Sequence, residues 1–390
     1  MNADAPSARL LLSLVAAHFL VDAVASVINP LWPTLQAQTS SGDLEFLWLF
    51  LSWNLATSVT QVGFGLLGDR FAGQWLIWAG PAAAVCCLSA MGWITSLAGL
   101  CVAVSVAGLG IAAFHPEAAF QAGNCLPAHR SRALALFQLG GFLGQTTGPL
   151  YSGQLVDRFG MAGLLPGLIW TLLLFAAVRG ALGGGRPTDG RRAELNVHVG
   201  ELFRGQFGRL AMLLLISVLR IIPAAGVPMA LAFLESARET STADIGLVQS
   251  AFSFGIGGGG LYCGVLIARR HEQRLLWLLP LAAAPIIWSI PSTSGGPLLL
   301  SAASAGLLLG GTMPILISLG QQMLPRSQRV GSSITMGLSW GLGGGAAGLI
   351  VMGFKPSGRM EETFALFAVA AVLSSLLCGW LPRPESAEME

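Results

Sequence analysis

Displace this 390-residue chain against itself by about 198 positions and its glycines and prolines fall back into register. Gly108 meets Gly306, Pro116 meets Pro314 and Pro127 meets Pro325. One position to either side of that offset, Gly140, Gly144 and Gly148 meet Gly337, Gly341 and Gly345, and Gly65-x-x-x-Asp69-Arg70 meets Gly264-x-x-x-Ala268-Arg269. Glycine permits close backbone approach and proline removes a donor, so a shared pattern of the two predicts shared kinks and contacts. Two like halves, both strongly apolar, are the organisation of a secondary transporter, whose substrate site lies between the repeats near the bilayer midplane.

Apolar residues make up 54% of the chain and charged residues 10%, where a soluble domain carries about 25% charge. Such a surface faces lipid. The apolar runs exceed the roughly 20 residues that cross a bilayer. Short polar turns divide them into twelve expected spans, at about 10–36, 44–67, 74–94, 97–121, 131–154, 160–181, 207–234, 243–268, 273–291, 296–322, 328–353 and 360–381. The expected fold is all-α: twelve transmembrane helices in two pseudo-symmetric six-helix bundles, 1–182 and 207–390, joined by a cytoplasmic linker over 183–206. The linker carries Gly183-Gly184-Gly185, Pro187, Asp189-Gly190 and Arg191-Arg192, the composition of a turn-rich connector. Residues 194–207 fit either an interfacial helix, with Leu195, Val199, Leu202 and Phe203 on one face, or a plain tether. The first span is not a signal peptide, since it lacks a small-residue cleavage site and contains His18 and Asp22.

A net charge of +2 points to no nucleic-acid partner; the distribution of charge is more informative. Most of the 21 basic residues lie at the termini or in even-numbered loops, whereas Arg158, Arg238, Lys355 and Arg359 fall in odd-numbered loops and Arg220 lies inside a span. The positive-inside rule then puts both termini in the cytoplasm of a plasma-membrane protein. The six cysteines, Cys86, Cys87, Cys101, Cys125, Cys263 and Cys378, show no metal or disulfide spacing and read as small buried hydrophobes.

Polar groups inside the spans are the functional candidates, because a charge at the bilayer centre is costly. In the first span His18, Asp22, Asn29 and Gln36 fall on one stripe at about 100° per residue, and Asn29-Pro30 loosens the helix there. A proton removes the cost of a buried carboxylate, so Asp22 is a candidate proton carrier, with an interhelical hydrogen bond as the structural alternative. The fourth span ends in Phe114-His115-Pro116-Glu117. His115 and Glu117 point about 160° apart, so a regular helix does not bring them to one metal, and Glu117 shares a face with Gln121. Arg220 sits at the repeat position of Asp22. It either pairs with Asp22 or waits for an anionic substrate, for which its planar fork is suited.

Asn54, Ser58 and Gln61 share a face of the second span, Gln138 and Gln145 lie on the fifth, and Gln249 lies on the eighth. With Trp32, Trp53, Phe142, Phe254 and Trp340 these are candidate cavity residues. The glycines four apart, Gly140, Gly144 and Gly148, form a flat strip for close helix contact, either as static packing or as a sliding seam between the halves. No catalytic, phosphate-loop, cofactor or metal signature stands out.

These residues resemble the major facilitator superfamily. Gly65-x-x-x-Asp69-Arg70 looks like its cytoplasmic signature loop, which implies that Asp69 latches the halves against the start of the eleventh helix near Gly331-Ser332. Gly140-Gly141-x-x-Gly144-x-x-x-Gly148-Pro149 resembles the fifth-helix antiporter motif. Ala17-His18-Phe19-Leu20-Val21-Asp22, Gly108-x-Gly110, Phe114-His115-Pro116-Glu117, Phe137-Gln138-x-Gly140-Gly141 and Gln321-x-Met323-Leu324-Pro325 are similar to the fosmidomycin-resistance efflux branch. Ile221-Ile222-Pro223 departs from that branch's aromatic-rich seventh span, which bears on the substrate. The resemblance implies a monomeric, proton-coupled exporter of small organic molecules working by alternating access. Asp22, Glu117, His18 and His115 are then expected to couple protons, and Gly65, Asp69, Arg70, the glycine strip and Pro149 to gate. Uptake or exchange of an organic anion, and a non-transporting receptor or scaffold, are the alternatives.

Overall fold

The structure is a computed structural model that describes residues 5–64, 76–126, 130–166, 171–173, 175–176, 205–266, 272–324 and 328–381. Every regular element among them is helical. The first half holds α1 (Ala5–Ser26), α2 (Trp32–Thr39), α3 (Asp43–Asn54), α4 (Leu76–Ser89), α5 (Leu97–Cys125) and α6 (Arg130–Phe159). The second half holds α7 (Phe207–Ala237), α8 (Thr242–Leu261), α9 (Glu272–Ser289), α10 (Gly295–Gly310), α11 (Met313–Met323), α12 (Gln328–Ser333), α13 (Ser339–Phe354) and α14 (Met360–Leu377). Nearly all of the 183–206 linker lies outside the described residues.

Among the described residues, seven stretches are long and apolar enough to cross a membrane: Ser7–Thr39, Leu97–Cys125, Phe207–Ala237, Glu272–Ser292, Gly295–Met323, Val330–Ser357 and Met360–Trp380. The helices α6 and α8 are long but rich in Gly, Ser, Thr and Gln; Gly144, Gly148, Ser152, Gln249 and Ser250 among these are buried, whereas Thr147 and Gln154 are exposed. Leu12, Leu173, Leu300 and Phe254 are exposed on the outside, as lipid contact requires. Trp48, Trp93 and Trp288 are exposed near the ends of α3, α4 and α9 that adjoin odd-numbered loops, the position of an interfacial aromatic belt. Phe254, expected at the cavity, therefore belongs to the outer face.

Prolines interrupt few of these helices. Pro116, Pro149, Pro223 and Pro228 lie inside continuous helices, as membrane-spanning helices tolerate. Two spans do break: the first into a 3-10 turn at Asn29–Leu31 between α1 and α2, where the sequence predicts loosening, and the tenth at Gly311-Thr312 between α10 and α11, just before Pro314. Two π-helical segments, Leu55–Val59 after α3 and Ile334–Leu338 before α13, lie against each other across the halves.

The two glycine strips have different jobs. A Cβ on Gly140 would strike the Val15 carbonyl, one on Gly144 would lie 2.7 Å from the Ala23 nitrogen, and one on Gly148 would strike the Ala23 carbonyl. This strip seats α6 on α1 within the first half, so it is not the seam between halves that the spacing also allowed. The seams are elsewhere. Gly341, Gly344 and Gly348 of α13 face Val59, Asn54 and Phe50. Gly153 of α6 faces the Thr242 carbonyl, and Gly246 of α8 faces the Pro149 carbonyl, which gives Pro149 a place in the inter-half contact.

Candidate transport cavity

Between the halves lies a cavity of about 280 Å³. The first half lines it with His18, Asp22, Asn29, Trp53, Asn54, His115, Gln138 and Gln145; the second contributes Ser217, Arg220, Ser253, Thr335 and Trp340. Nearly every expected cavity residue is brought there. Gln249 is not. It is fully buried beside the cavity, where its Nε2 donates to the Asn29 carbonyl at 3.1 Å and to the Pro228 carbonyl at 2.8 Å. Pro33 has no N–H to offer the Asn29 carbonyl four residues earlier, which leaves that acceptor open to a side chain from the other half.

One wall of the cavity is a compact polar cluster. Asp22 is buried, and its Oδ1 lies 3.0 Å from His115 Nε2. Its Oδ2 accepts from Gln145 Nε2 at 2.9 Å and lies 3.5 Å from His18 Nε2. Each imidazole is oriented from behind: His18 Nδ1 lies 2.7 Å from the Phe137 carbonyl and His115 Nδ1 lies 2.8 Å from the Ile111 carbonyl. A carbonyl only accepts, so both Nδ1 atoms carry hydrogen. Both Nε2 atoms are thus left facing a carboxylate. The 3.0 Å contact between two acceptors requires a proton, on Nε2 or on the carboxyl. The His18 ring stacks on Phe137 at 4.0 Å, which fixes it further. Gly141 completes the fit, for a Cβ there would sit 2.6 Å from His18 Nε2 and 2.8 Å from Asp22 Oδ2.

Arg220 does not pair with Asp22. Its Nη2 donates to the Leu276 carbonyl and, at 2.9 Å, to Cys378 Sγ, so the guanidinium is anchored within the second half. Nε and Nη1 are buried with no hydrogen-bond partner. The equal depth implied by the repeat is compatible with both residues lining one cavity, but the imidazoles of the first half satisfy Asp22 locally.

The other expected residues lie apart. Glu117 does not line the cavity; its Oε1 accepts from Gln121 Nε2 at 2.9 Å, one turn along α5. Gln36 leaves the polar stripe and donates to Asp43 Oδ1 at 2.8 Å, because the break at Asn29–Leu31 shifts the helical phase. Gly65, Asp69 and Arg70 lie outside the described residues. Sequence spacing indicated no metal centre, yet the fold gathers His18, Asp22 and His115 so that one ligand atom from each lies within 4.8 Å of the others.

A contact that sequence reading missed closes the odd-loop end. Lys355, which follows α13, pairs with Asp43 at the start of α3, and its Nζ lies 5.1 Å from the centre of the Phe233 ring. Phe233 in turn meets Phe46 edge to face at 6.4 Å. The available signal was that Lys355 is the sole lysine in the chain. Burial raises the Asp43 carboxyl pKa, but hydrogen bonds from Lys355 and Gln36 outweigh this and hold it below its ordinary 3.8. The pair is therefore kept through the ordinary carboxylate range and lost only as pH falls through the depressed value. Lys355→Ala is expected to raise, several-fold, maleimide labelling from the odd-loop side of a cysteine placed at Asn29 in a cysteine-free background. In the parent the same opening is expected only below the ordinary carboxylate range, read with a probe that does not depend on a thiolate. Labelling unchanged by the substitution removes Lys355 from the gate.

A family model described as Major Facilitator Superfamily matches residues 14–348. The chain belongs to the major facilitator superfamily. It is a multi-pass membrane transporter and not an enzyme. It is similar to the fosmidomycin resistance protein of Escherichia coli (strain K12), with 23% identity over 85% of this chain and 82% of that one. An uncharacterised transporter of the superfamily from Bacillus subtilis (strain 168), YfnC, is 24% identical over 88% of this chain and 85% of its own. Among solved structures, the nucleoside transporter NupG has a TM-score of 0.74 at 13% identity, covering 96% of this chain and 100% of its own. An inward-facing, unoccupied bacterial homologue of the human lysosomal transporter Spinster has a TM-score of 0.63 at 14% identity, covering 97% and 96%. These two likenesses establish the superfamily fold for this chain and leave cargo open.

Proposed function

We propose that this superfamily member is a proton-coupled exporter of small organic molecules, accepting cargo with a carboxylate or phosphonate-like group. It works by alternating access through twelve spans in two six-helix halves, in a plasma membrane with both termini cytoplasmic. The observation that carries the coupling is Asp22 facing two imidazole nitrogens whose opposite nitrogens are already committed to carbonyls. Removing the shared proton leaves lone pairs opposed, so α1 and α5 are held together only while the site is loaded. The helix α1 carries this site and continues into the turn whose Asn29 carbonyl Gln249 of the other half grips. A shift of α1 on proton loss is thereby felt across the seam. The likeness to the fosmidomycin resistance protein supports the outward direction and drug-type cargo.

Anion selection falls to Arg220, whose Nε and Nη1 have no partner of their own. The same observation favours a second reading, exchange or uptake of an organic anion, which differs only in direction. The test is binding and counterflow in proteoliposomes for the parent, Arg220→Lys and Arg220→Gln. Hydrogen bonds to charged groups are worth about 1.5–3 kcal/mol, so Arg220→Gln is expected to weaken carboxylate or phosphonate binding roughly 10- to 100-fold. Arg220→Lys keeps the charge but loses the fork, and is expected to weaken it less. Equal transport of neutral compounds by all three proteins, with no anion bound, makes Arg220 structural.

A further inference from the structure

The cluster on the cavity wall has the geometry of a metal centre as well as of a proton site. Two imidazole nitrogens and a carboxylate oxygen are the donor set of zinc-type ions with one coordination position left open. Ligand atoms about 2.0–2.1 Å from a tetrahedral ion are spaced about 3.3 Å apart. Here Asp22 Oδ1 and His115 Nε2 are 3.0 Å apart, and Asp22 Oδ2 and His18 Nε2 are 3.5 Å apart. The ligand atoms of all three side chains lie within 4.8 Å of one another, so small turns of the imidazoles as well as of the carboxylate bring them around a common point.

Two further features mark the site as prepared for an ion. Metal-bound histidines donate their remaining N–H to a carbonyl or carboxylate, which fixes the tautomer and raises ligand basicity. Both imidazoles do this, His18 to Phe137 and His115 to Ile111. Beside the ligand atoms the backbone leaves room, because Gly141 lacks the Cβ that would press on His18 Nε2 and Asp22 Oδ2. Of the three side chains, His115 keeps the most exposure, 20% against 3% for His18 and 6% for Asp22, so an ion arrives from the cavity side.

We infer that His18, Asp22 and His115 bind one divalent transition ion of the zinc type, entering from the cavity in place of the shared proton, with the fourth position open to water. An occupied site holds α1 and α5 together, so zinc arrests the transport cycle.

The test reads binding in purified, tag-free protein and does not require transport, so it stands apart from the proposed coupling. Cobalt(II) is titrated in as a spectroscopic substitute. One ion per chain is expected, with the visible bands of four-coordinate cobalt and no sulfur charge-transfer band, and zinc is expected to displace it. Asp22→Asn keeps the side-chain shape, and His115→Gln tests an independent ligand. Each is expected to lower affinity at least about 100-fold, beyond the roughly 10- to 100-fold cost of losing an outer-shell hydrogen bond. A thermal melt of each variant without metal confirms folding. Absence of cobalt bands in the folded parent overturns the inference, as do bands unchanged in both folded variants.

Discussion

Asp22→Asn is expected to eliminate concentration of substrate against its gradient while exchange down a gradient continues. Asparagine has nearly the shape of aspartate, so it still accepts through Oδ1 from a protonated His115, or donates to it when neutral. It carries no charge to hold the extra proton. The protonated imidazole then has lost its counter-charge, and proton flow is uncoupled from the motion of α1. The measurement is proteoliposome flux with and without an imposed pH gradient. The parent should respond to the gradient and the variant should not. A variant that still responds assigns coupling elsewhere, and Glu117, hydrogen-bonded to Gln121 and outside the cavity lining, is the next carboxylate to examine. Glu117→Gln is expected to leave the gradient response in place.

Two neighbouring glycines are expected to give opposite defects when each is changed to alanine. At Gly144 the new Cβ meets main chain, the Phe19 carbonyl and the Ala23 nitrogen. Main chain within a helix does not move aside, so Gly144→Ala must separate α6 from α1. Overpacking of this kind costs about 1–3 kcal/mol and is expected to lower the melting temperature measurably. At Gly141 the Cβ meets side-chain tips, His18 Cε1 at 2.5 Å and Asp22 Oδ2 at 2.8 Å. Those tips can turn, at the expense of the cluster's geometry. Gly141→Ala is therefore expected to keep most of the thermal stability and lose most of the gradient-driven transport. Equal loss of stability in both variants would show that the His18 ring, stacked on Phe137, is as unyielding as the helix backbone.

Much of this was readable from the residues. The repeat of glycines and prolines pointed to two halves, and the polar stripe of α1 led to Asp22 and His18. His115 was found through its own segment, although its partner was not, because helical periodicity reports which residues share a face and not which helices face one another. The same limit explains Arg220. Both it and Asp22 line the same cavity, but a repeat says nothing of azimuth, and Arg220 turns to Leu276 and Cys378 within its own half. Gly140, Gly144 and Gly148 announced a close approach without naming the partner, which proved to be α1 rather than the opposite half. Gln249 looked like a cavity residue because it is polar in an apolar span. What it satisfies is a backbone carbonyl that Pro33 cannot serve, a need visible only once the chain is folded.

The lone lysine gives the molecule a reporter that needs no mutagenesis. Reductive methylation with isotope-enriched formaldehyde adds methyl groups to primary amines, and this chain offers one side-chain amine besides its N-terminus. Lys355 Nζ sits over the Phe233 ring when it holds Asp43, so its methyl resonance is displaced by the ring current. When the odd-loop end opens the ring is left behind and the resonance returns to the frequency of a solvated amine. A single NMR line then counts the fraction of molecules open at that end, in native-sequence protein, as pH or cargo is varied.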